Sequence, residues 1–144
     1  MKLTAEAEGE PPLEVVKKLT LNLSDEAPRN ENPRFEGEGL LIEEPSTGLK
    51  VGEELTLTAQ VKASSAETYT PIPLEGEEAA EQREELIISW ATTAGKLDGP
   101  FSLIEDPSTK LTLPDEAQTV RVFATVRDGR GGLDVRSIDL TVSE

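Results

Sequence analysis

The sequence alternates apolar and polar side chains with unusual regularity near its C-terminal end. The apolar members of residues 119–126 fall at every second position: Val120, Val122, Ala124 and Val126. Successive side chains of a β-strand point to opposite faces, whereas a helix repeats every 3.6 residues. The pattern therefore predicts a strand with one buried aliphatic face, which commits the chain to β-structure around a shared core.

A turn and a second strand follow this stretch directly. Residues 128–132 read Asp-Gly-Arg-Gly-Gly, and such residues accept the positive φ angles of a tight hairpin. The return strand is predicted over residues 133–142. Its apolar positions are odd at Leu133 and Val135 and even from Ile138 onward. If all of them point inward, the change of parity predicts a β-bulge near Arg136 and Ser137.

The rest of the chain carries shorter versions of the same signal. Strands are predicted over residues 15–23, 39–43, 54–61, 86–91 and 110–113, and residues 48–52 are predicted to be a connecting turn. Residues 77–85 favour helix by composition but lack an apolar stripe, which permits a surface helix at most. The predicted core consists of Leu19, Leu21, Leu55, Leu57, Val61, Ile88, Trp90, Leu111, Leu113, Val120, Val122, Val126, Ile138 and Leu140.

Several of these segments together resemble bacterial immunoglobulin-like domains. The matching residues are 88–90 (Ile-Ser-Trp), the strand 119–128, the Gly-Arg-Gly-Gly turn at 129–132, and 138–142. They are most similar to the polycystic-kidney-disease-type (PKD) and cadherin-like modules of secreted proteins and surface lipoproteins. The resemblance implies an all-β fold, an antiparallel immunoglobulin-like β-sandwich of seven to nine strands, with Trp90 buried on the third strand.

The domain organisation predicted from the sequence is simple. Residues 1–14 are acidic and contain Gly9 and two adjacent prolines, which predicts a tail or linker. Residues 15–144 are predicted to form one immunoglobulin-like β-sandwich domain. Residues 62–85 form a long loop insertion within it, and loops of this length are commonly functional or disordered.

Charge restricts the classes of partner. With 14 Lys and Arg against 29 Asp and Glu, the formal net charge is −15. Such a surface repels phosphate backbones and anionic lipid headgroups, so we expect neither nucleic-acid binding nor direct membrane insertion. A basic protein or a divalent cation remains compatible with this charge.

The absence of His and Cys excludes further classes of catalytic and metal-binding site. The sequence contains no His and no Cys, which removes histidine-dependent triads, thiolate catalysis and the usual zinc ligands. The glycines at 129–132 join two predicted strands and so do not form a phosphate-binding loop before a helix. We therefore predict no enzyme activity, no catalytic residues and no bound cofactor.

Calcium is the one ligand that the composition leaves open. Acidic side chains that could supply its oxygen ligands lie in predicted loops or at strand ends: Asp98, Glu105, Asp106, Asp128 and Asp134. The departures from the resembling families argue against a site. Residues 91–95 replace the aspartate and glycine that usually follow the tryptophan in the PKD type, and cadherin-like calcium motifs are absent. No metal-ligand set is predicted, and solubility is the favoured explanation of these acids.

Three residues are candidates for a partner surface: Phe123, Arg121 and Tyr69. Phe123 lies on the polar side of its strand beside Arg121, where an exposed aromatic ring could bind a partner. Coverage of Phe123 by the N-terminal segment is an equally open alternative. Tyr69 lies in the insertion.

We therefore expect a non-catalytic structural or protein-binding module of an exported or cell-surface bacterial assembly. A calcium-stabilised adhesion or carbohydrate-binding domain is the alternative. The expected location is extracytoplasmic, at the cell surface or in the periplasm, with a targeting segment that this sequence does not contain.

Overall fold

The computed structural model describes residues 30–42, 48–71 and 78–144 in full, together with the backbone of two short strands, β1 (Lys2–Ala5) and β2 (Leu13–Val16). β1 and β2 pair antiparallel as a two-stranded sheet. This pairing lies mostly within the range predicted as a tail, and the division into tail and domain stays a prediction. Predicted core residues Leu19 and Leu21 lie outside the described residues.

Two larger sheets contain most of the described strands. The four-stranded sheet has the order β3-β5-β11-β9, and the five-stranded sheet has the order β10-β8-β12-β13-β4. Their bounds are β3 (Phe35–Ile42), β4 (Leu49–Lys50), β5 (Glu54–Val61), β8 (Ile87–Thr92), β9 (Lys96–Leu97), β10 (Phe101–Leu103), β11 (Ser108–Thr112), β12 (Thr119–Arg127) and β13 (Leu133–Ser143). The all-β prediction is therefore confirmed.

The inward faces of the two sheets share one hydrophobic core. The alternation in β12 is confirmed, because its four apolar side chains have no solvent exposure. Leu55 and Leu57 of β5 and Leu111 of β11 cover them from the four-stranded sheet. Every predicted core residue in the described ranges belongs to this cluster or packs against it. The prediction omitted some members, including Phe35, Leu40 and Leu49.

The predicted β-bulge in the return strand is wrong. β13 pairs with β12 in unbroken register from Leu133, opposite Arg127, to Thr141, opposite Thr119. Leu133 and Val135 are 46% and 44% exposed, because they keep the odd-numbered, solvent-facing parity of the strand. The register shift lies instead in β3, between Phe35 and Leu40.

The expectation of purely antiparallel sheets also needs correction. β4, within the predicted turn at 48–52, pairs parallel with the end of β13, so the five-stranded sheet is mixed. Leu49 opposite Val142 is buried, which explains why this short segment joins the sheet.

The insertion at 62–85 is more structured than a loop. It contains a 3-10 helix (Ala63–Ser65) and a two-stranded antiparallel sheet of β6 (Thr68–Tyr69) and β7 (Gln82–Arg83). The described part of 77–85 is therefore not helical. Across the described ranges, no helix has the length and apolar character of a membrane span.

Trp90 tests the assignment of the core. Its side chain is 4% exposed, and its indole Nε1 donates a hydrogen bond to Ser102 Oγ at 2.8 Å. Removing a buried aromatic ring leaves a cavity, so we expect Trp90→Ala to lower the free energy of unfolding by about 3–5 kcal/mol. Chemical denaturation measures this change. Leu41→Ser, at an exposed position, should change stability by less than about 0.5 kcal/mol, and an equally small effect of Trp90→Ala would contradict the core assignment.

Candidate functional site

The solvent-facing side of the five-stranded sheet carries an apolar surface. Among the described residues, six large apolar side chains are well exposed, and all but Leu41 lie on this side. We call this surface the apolar face and define it by Ile87, Phe101, Leu103, Leu133 and Val135. Phe101 is the most exposed of them, at 65%. Phe123 lies on the same side and is half-buried.

Strand register arranges the apolar face in rows. Leu103, Ile87, Arg127 and Leu133 stand opposite one another in the first row. The second row is Phe101, Ser89, Thr125 and Val135, and the third is Ala91, Phe123 and Ser137. None of these residues is acidic, although the chain contains 29 Asp and Glu. Depletion of charge at the centre of a surface is typical of protein interfaces.

The four-stranded sheet provides an internal comparison. Its solvent-facing side carries Thr56, Thr58 and Gln60 of β5, each directed away from buried Leu55, Leu57 and Ala59. On the same side, Lys110 Nζ bonds to Glu54 Oε1 at 2.7 Å, and Thr58 Oγ1 bonds to Ser108 Oγ at 3.1 Å. Leu41 is the exception on this otherwise polar surface. The two outer faces of one fold therefore differ in chemistry.

The structure places Phe123 and Arg121 together but separates Tyr69 from them. Phe123 and Arg121 share one side of β12. Tyr69 lies in the insertion, with the guanidinium carbon of Arg130 at 4.2 Å from its ring centroid. Whether any of the three residues binds a partner stays a prediction.

Arg121 forms an ion pair across β12 and β13. Its Nε and Nη2 donate to the two carboxylate oxygens of Asp139, each at 2.6 Å. The hydrogen bonds from Arg121 lower the pKa of the Asp139 carboxyl below its ordinary value. The pair lies just beyond the third row of the apolar face. Its carboxylate is neutralised there, so the border next to Phe123 carries little net charge.

The β12–β13 turn is organised by one buried carboxylate. Asp128 Oδ1 accepts hydrogen bonds from the backbone N–H groups of Arg130, Gly131 and Gly132 at 2.8–3.0 Å. Asp128 Oδ2 accepts one from Asn30 Nδ2 at 2.8 Å. Gly129 and Gly131 take positive φ, and a Cβ atom at Gly132 would collide with the Asp128 carboxylate. The predicted glycine turn is thus confirmed, and Asp128 explains its shape.

The insertion docks against this turn through the Arg130 cluster, defined by Arg130, Glu84, Glu67 and Tyr69. The Glu84 side chain is fully buried, and its Oε1 accepts a hydrogen bond from Arg130 Nη1 at 2.7 Å. Its Oε2 accepts from the backbone N–H of Glu67 at 3.0 Å. Glu67 Oε2 lies 3.6 Å from Arg130 Nη1. The cluster therefore pairs a buried charge and fixes one end of the insertion to the hairpin.

The candidate calcium ligands are not brought together in the part of the chain that the structure describes. No three acidic side chains there are grouped closely enough to hold a metal ion. Asp128 accepts four hydrogen bonds from the chain itself, and Asp134 accepts bonds from the backbone of Phe35 and Val135. Calcium binding, which the sequence leaves open without a predicted ligand set, stays a hypothesis.

Two polar clefts lie beside the strand ends. One, of about 150 Å³, is lined by Arg34, Lys62, Ser64, Glu67 and their neighbours, and is smaller than typical small-molecule pockets. The other, of about 310 Å³, lies between Arg34, Phe35, Leu133 and Arg136. Because Leu133 lines this second cleft, the cleft adjoins the first row of the apolar face.

Comparison with protein-family models, with curated proteins and with solved structures finds no match to this chain.

Sequence reasoning missed most of the apolar face. The odd-numbered parity of Leu133 and Val135, continuous with the polar positions of the strand, was the signal that could have revealed it. The Arg130 cluster had no local signal, because Glu84 and Arg130 are 46 residues apart.

Arg130 tests how the insertion is held. Replacing it with Gln leaves the buried Glu84 carboxylate without its cation, so we expect a loss of about 3 kcal/mol in the free energy of unfolding. The double variant Arg130→Gln, Glu84→Gln should recover part of this loss, because the neutral amide needs no counterion. Chemical denaturation of the two variants gives both numbers. A single variant as stable as the wild type would contradict the role of the pair.

Asp139 gives a prediction about pH. Because the pKa of Asp139 is depressed in the folded state, its contribution to stability is present above the unfolded-state pKa and is lost as pH falls through the folded pKa. In Arg121→Gln we expect the pKa of Asp139 to rise toward its ordinary value, as measured by NMR titration of the side-chain carboxyl carbon. An unchanged titration would show that Arg121 does not set it. Lys96→Gln, which removes a cation from the other sheet, serves as control.

Proposed function

We propose that this chain is a non-catalytic immunoglobulin-like β-sandwich module that binds a partner protein through the apolar face. One observation carries the proposal: the outer side of the five-stranded sheet carries six large apolar side chains and no acid over three rows, in a chain of net charge −15. A contiguous exposed apolar surface commonly marks a protein interaction site.

Sheet topology supports the immunoglobulin-like part of the proposal. In the five-stranded sheet, β12 lies between β8 and β13. β4 pairs parallel with the other side of β13 and forms one edge of the sheet. The four-stranded sheet covers it from the other side of the core. Trp90 lies buried on β8, and burial of the tryptophan is what the resemblance implies.

Composition supports the non-catalytic part. Without His and Cys, acid–base chemistry would fall mainly to carboxylates. The two buried carboxylates of the described residues are held by the chain's own donors, Glu84 by Arg130 and Asp128 by the turn backbone. They therefore stabilise local structure. The resemblance to surface modules is what supports a role in an exported or cell-surface bacterial assembly.

A second copy of the chain is not the occupant that we propose for the apolar face. Each copy carries a net charge of −15, so two copies repel one another over the range of the Debye length. A different protein, neutral or basic overall, meets no such repulsion.

The alternative of a calcium-stabilised adhesion or carbohydrate-binding domain has no specific geometric support in the described ranges. Tyr69, the candidate partner residue in the insertion, has one face of its ring occupied by the Arg130 guanidinium.

Photo-crosslinking in the producing cells tests the protein-binding proposal. With p-benzoylphenylalanine at position 101, we expect one major crosslink to a different protein, and with the same amino acid at position 41 we expect none. The identified protein, once purified, should bind Val135→Ser about tenfold more weakly than wild type, because the residues whose truncation costs more than about 1 kcal/mol cluster near the centre of an interface and Val135 lies in the middle row. Leu41→Ser, which alters a side chain of equal exposure on the other sheet, should bind normally.

Accessibility of the face is checked separately. Since the chain has no Cys, Val135→Cys and Leu41→Cys each introduce a single thiol. Similar rates of maleimide labelling at the two positions are expected for an open face. Much slower labelling at 135 would mean that the chain's own residues cover it. That result, or equal crosslinking from positions 41 and 101, would overturn the proposal.

A further inference from the structure

The chemistry of the bound segment can be inferred from the cations around Leu133. Leu133 is 46% exposed at one end of the first row of the apolar face. Arg127 stands directly opposite it on β12 and is exposed. On its other side, Leu133 lines the cleft of about 310 Å³ together with Arg34, Asp134 and Arg136. Arg136 has the opposite parity on β13 and lies over the Phe35 ring. Two exposed arginines, Arg127 and Arg34, therefore flank one exposed leucine in a strongly acidic chain.

The arginines near Leu133 differ in how many hydrogen bonds and ion pairs their side chains already form within the chain. Arg136 Nη1 lies 3.2 Å from Asp134 Oδ1 and 3.0 Å from the Val135 carbonyl oxygen, and its guanidinium lies 5.8 Å from the Phe35 ring. Asp134 also accepts the backbone N–H of Phe35 at 3.1 Å, so this carboxylate belongs to the β3–β13 contact. Arg34 is held through its backbone, by Ser65 Oγ and the Lys62 N–H, which leaves its exposed side chain to project from a fixed point.

We infer that the apolar face takes a protein segment that presents at least one carboxylate next to apolar side chains, with the carboxylate received by Arg127 and Arg34 beside Leu133. The inference rests on the proposed function, because it names the chemistry of the partner at the same face. Guanidinium groups bind carboxylates through two parallel hydrogen bonds, which adds geometric selectivity to the non-directional apolar contact. The three rows carry no acid, and Asp134, which lines the cleft beside Arg34, is already bonded to Arg136 and to the backbone N–H groups of Phe35 and Val135.

The overall charge of −15 does not oppose this chemistry. Interactions between exposed charges are largely screened beyond about 8–10 Å at physiological salt, whereas a contact ion pair is screened less. The partner is therefore neutral or basic as a whole and acidic only where it meets Arg127 and Arg34. This combination also selects against acidic proteins, which are repelled before contact.

Selection from a random-peptide library displayed on phage tests the inference with a defined probe. The library is selected on the intact chain and depleted on Phe101→Ser, Val135→Ser. We expect the retained peptides to combine apolar residues with Asp or Glu, and to bind Arg127→Gln and Arg34→Gln each about tenfold more weakly than wild type. Lys96→Gln removes a cation from the other sheet and changes the net charge equally, so it should bind like wild type.

The outcomes separate the two proposals. Face-dependent peptides that lack acids and bind Arg127→Gln and Arg34→Gln normally would overturn the inference and leave the proposed function standing. Peptides that weaken equally on Lys96→Gln would show a general effect of charge and would overturn the inference as well. If no peptide that binds the intact chain survives depletion on Phe101→Ser, Val135→Ser, both proposals fail.

Discussion

Hydrogen bonding along both edges of β12 fixes the rest of this structure. The strand pairs with β8 on one side and with β13 on the other, and its register is unbroken along both. Since side chains alternate with a period of two, the pairing that buries Val122 and Val126 must also place Phe123 and Arg127 outside. A slip by one residue would bring charged side chains into the core, so the outer surface is held as firmly as the inner one. The apolar face is thus a pre-organised surface, and a partner that binds it loses little free energy in ordering the backbone.

The parts of the fold that could be predicted are the strands in which alternating apolar and polar residues indicate which side chains are buried. β5 was predicted with its observed bounds, and β8 and β12 within one residue, because each has one buried and one solvated side. The inward assignment of Leu133 and Val135 failed for the opposite reason. A single sequence does not distinguish an apolar side chain that enters the core from one that faces solvent on an apolar surface. Strands of two residues, such as β4 and β6, are too short to show a period, and their pairing depends on long-range contacts.

The residues of the candidate site also divide into those that local sequence predicts and those that depend on tertiary packing. Phe123 and Arg121 were placed on the correct side of β12 by parity alone, whereas the role of Tyr69 depends on tertiary packing. Tyr69 and Arg130 are distant in the sequence. The Arg130 guanidinium lies over the Tyr69 ring because the insertion docks on the β12–β13 turn. Glu84 is one of 29 acids, and nothing beside it in the sequence marks it as the one that becomes buried. Burial of the Glu84 charge is a property of the assembled fold, because its counterion Arg130 belongs to another element.

The net charge determines how copies of a chain with an exposed apolar face interact at long range. Copies of the protein repel one another at long range, and this repulsion acts before two apolar faces can meet. The short edge strand β10, three residues long, offers few unpaired backbone groups for pairing between copies. The absence of acids from the three rows favours binding at short range, because a partner in contact with this surface desolvates no unpaired carboxylate there. Long-range repulsion and short-range apolar attraction therefore act on different sets of residues. If the apolar face binds a protein as proposed, the same charge favours a partner whose own surface lacks a large negative potential.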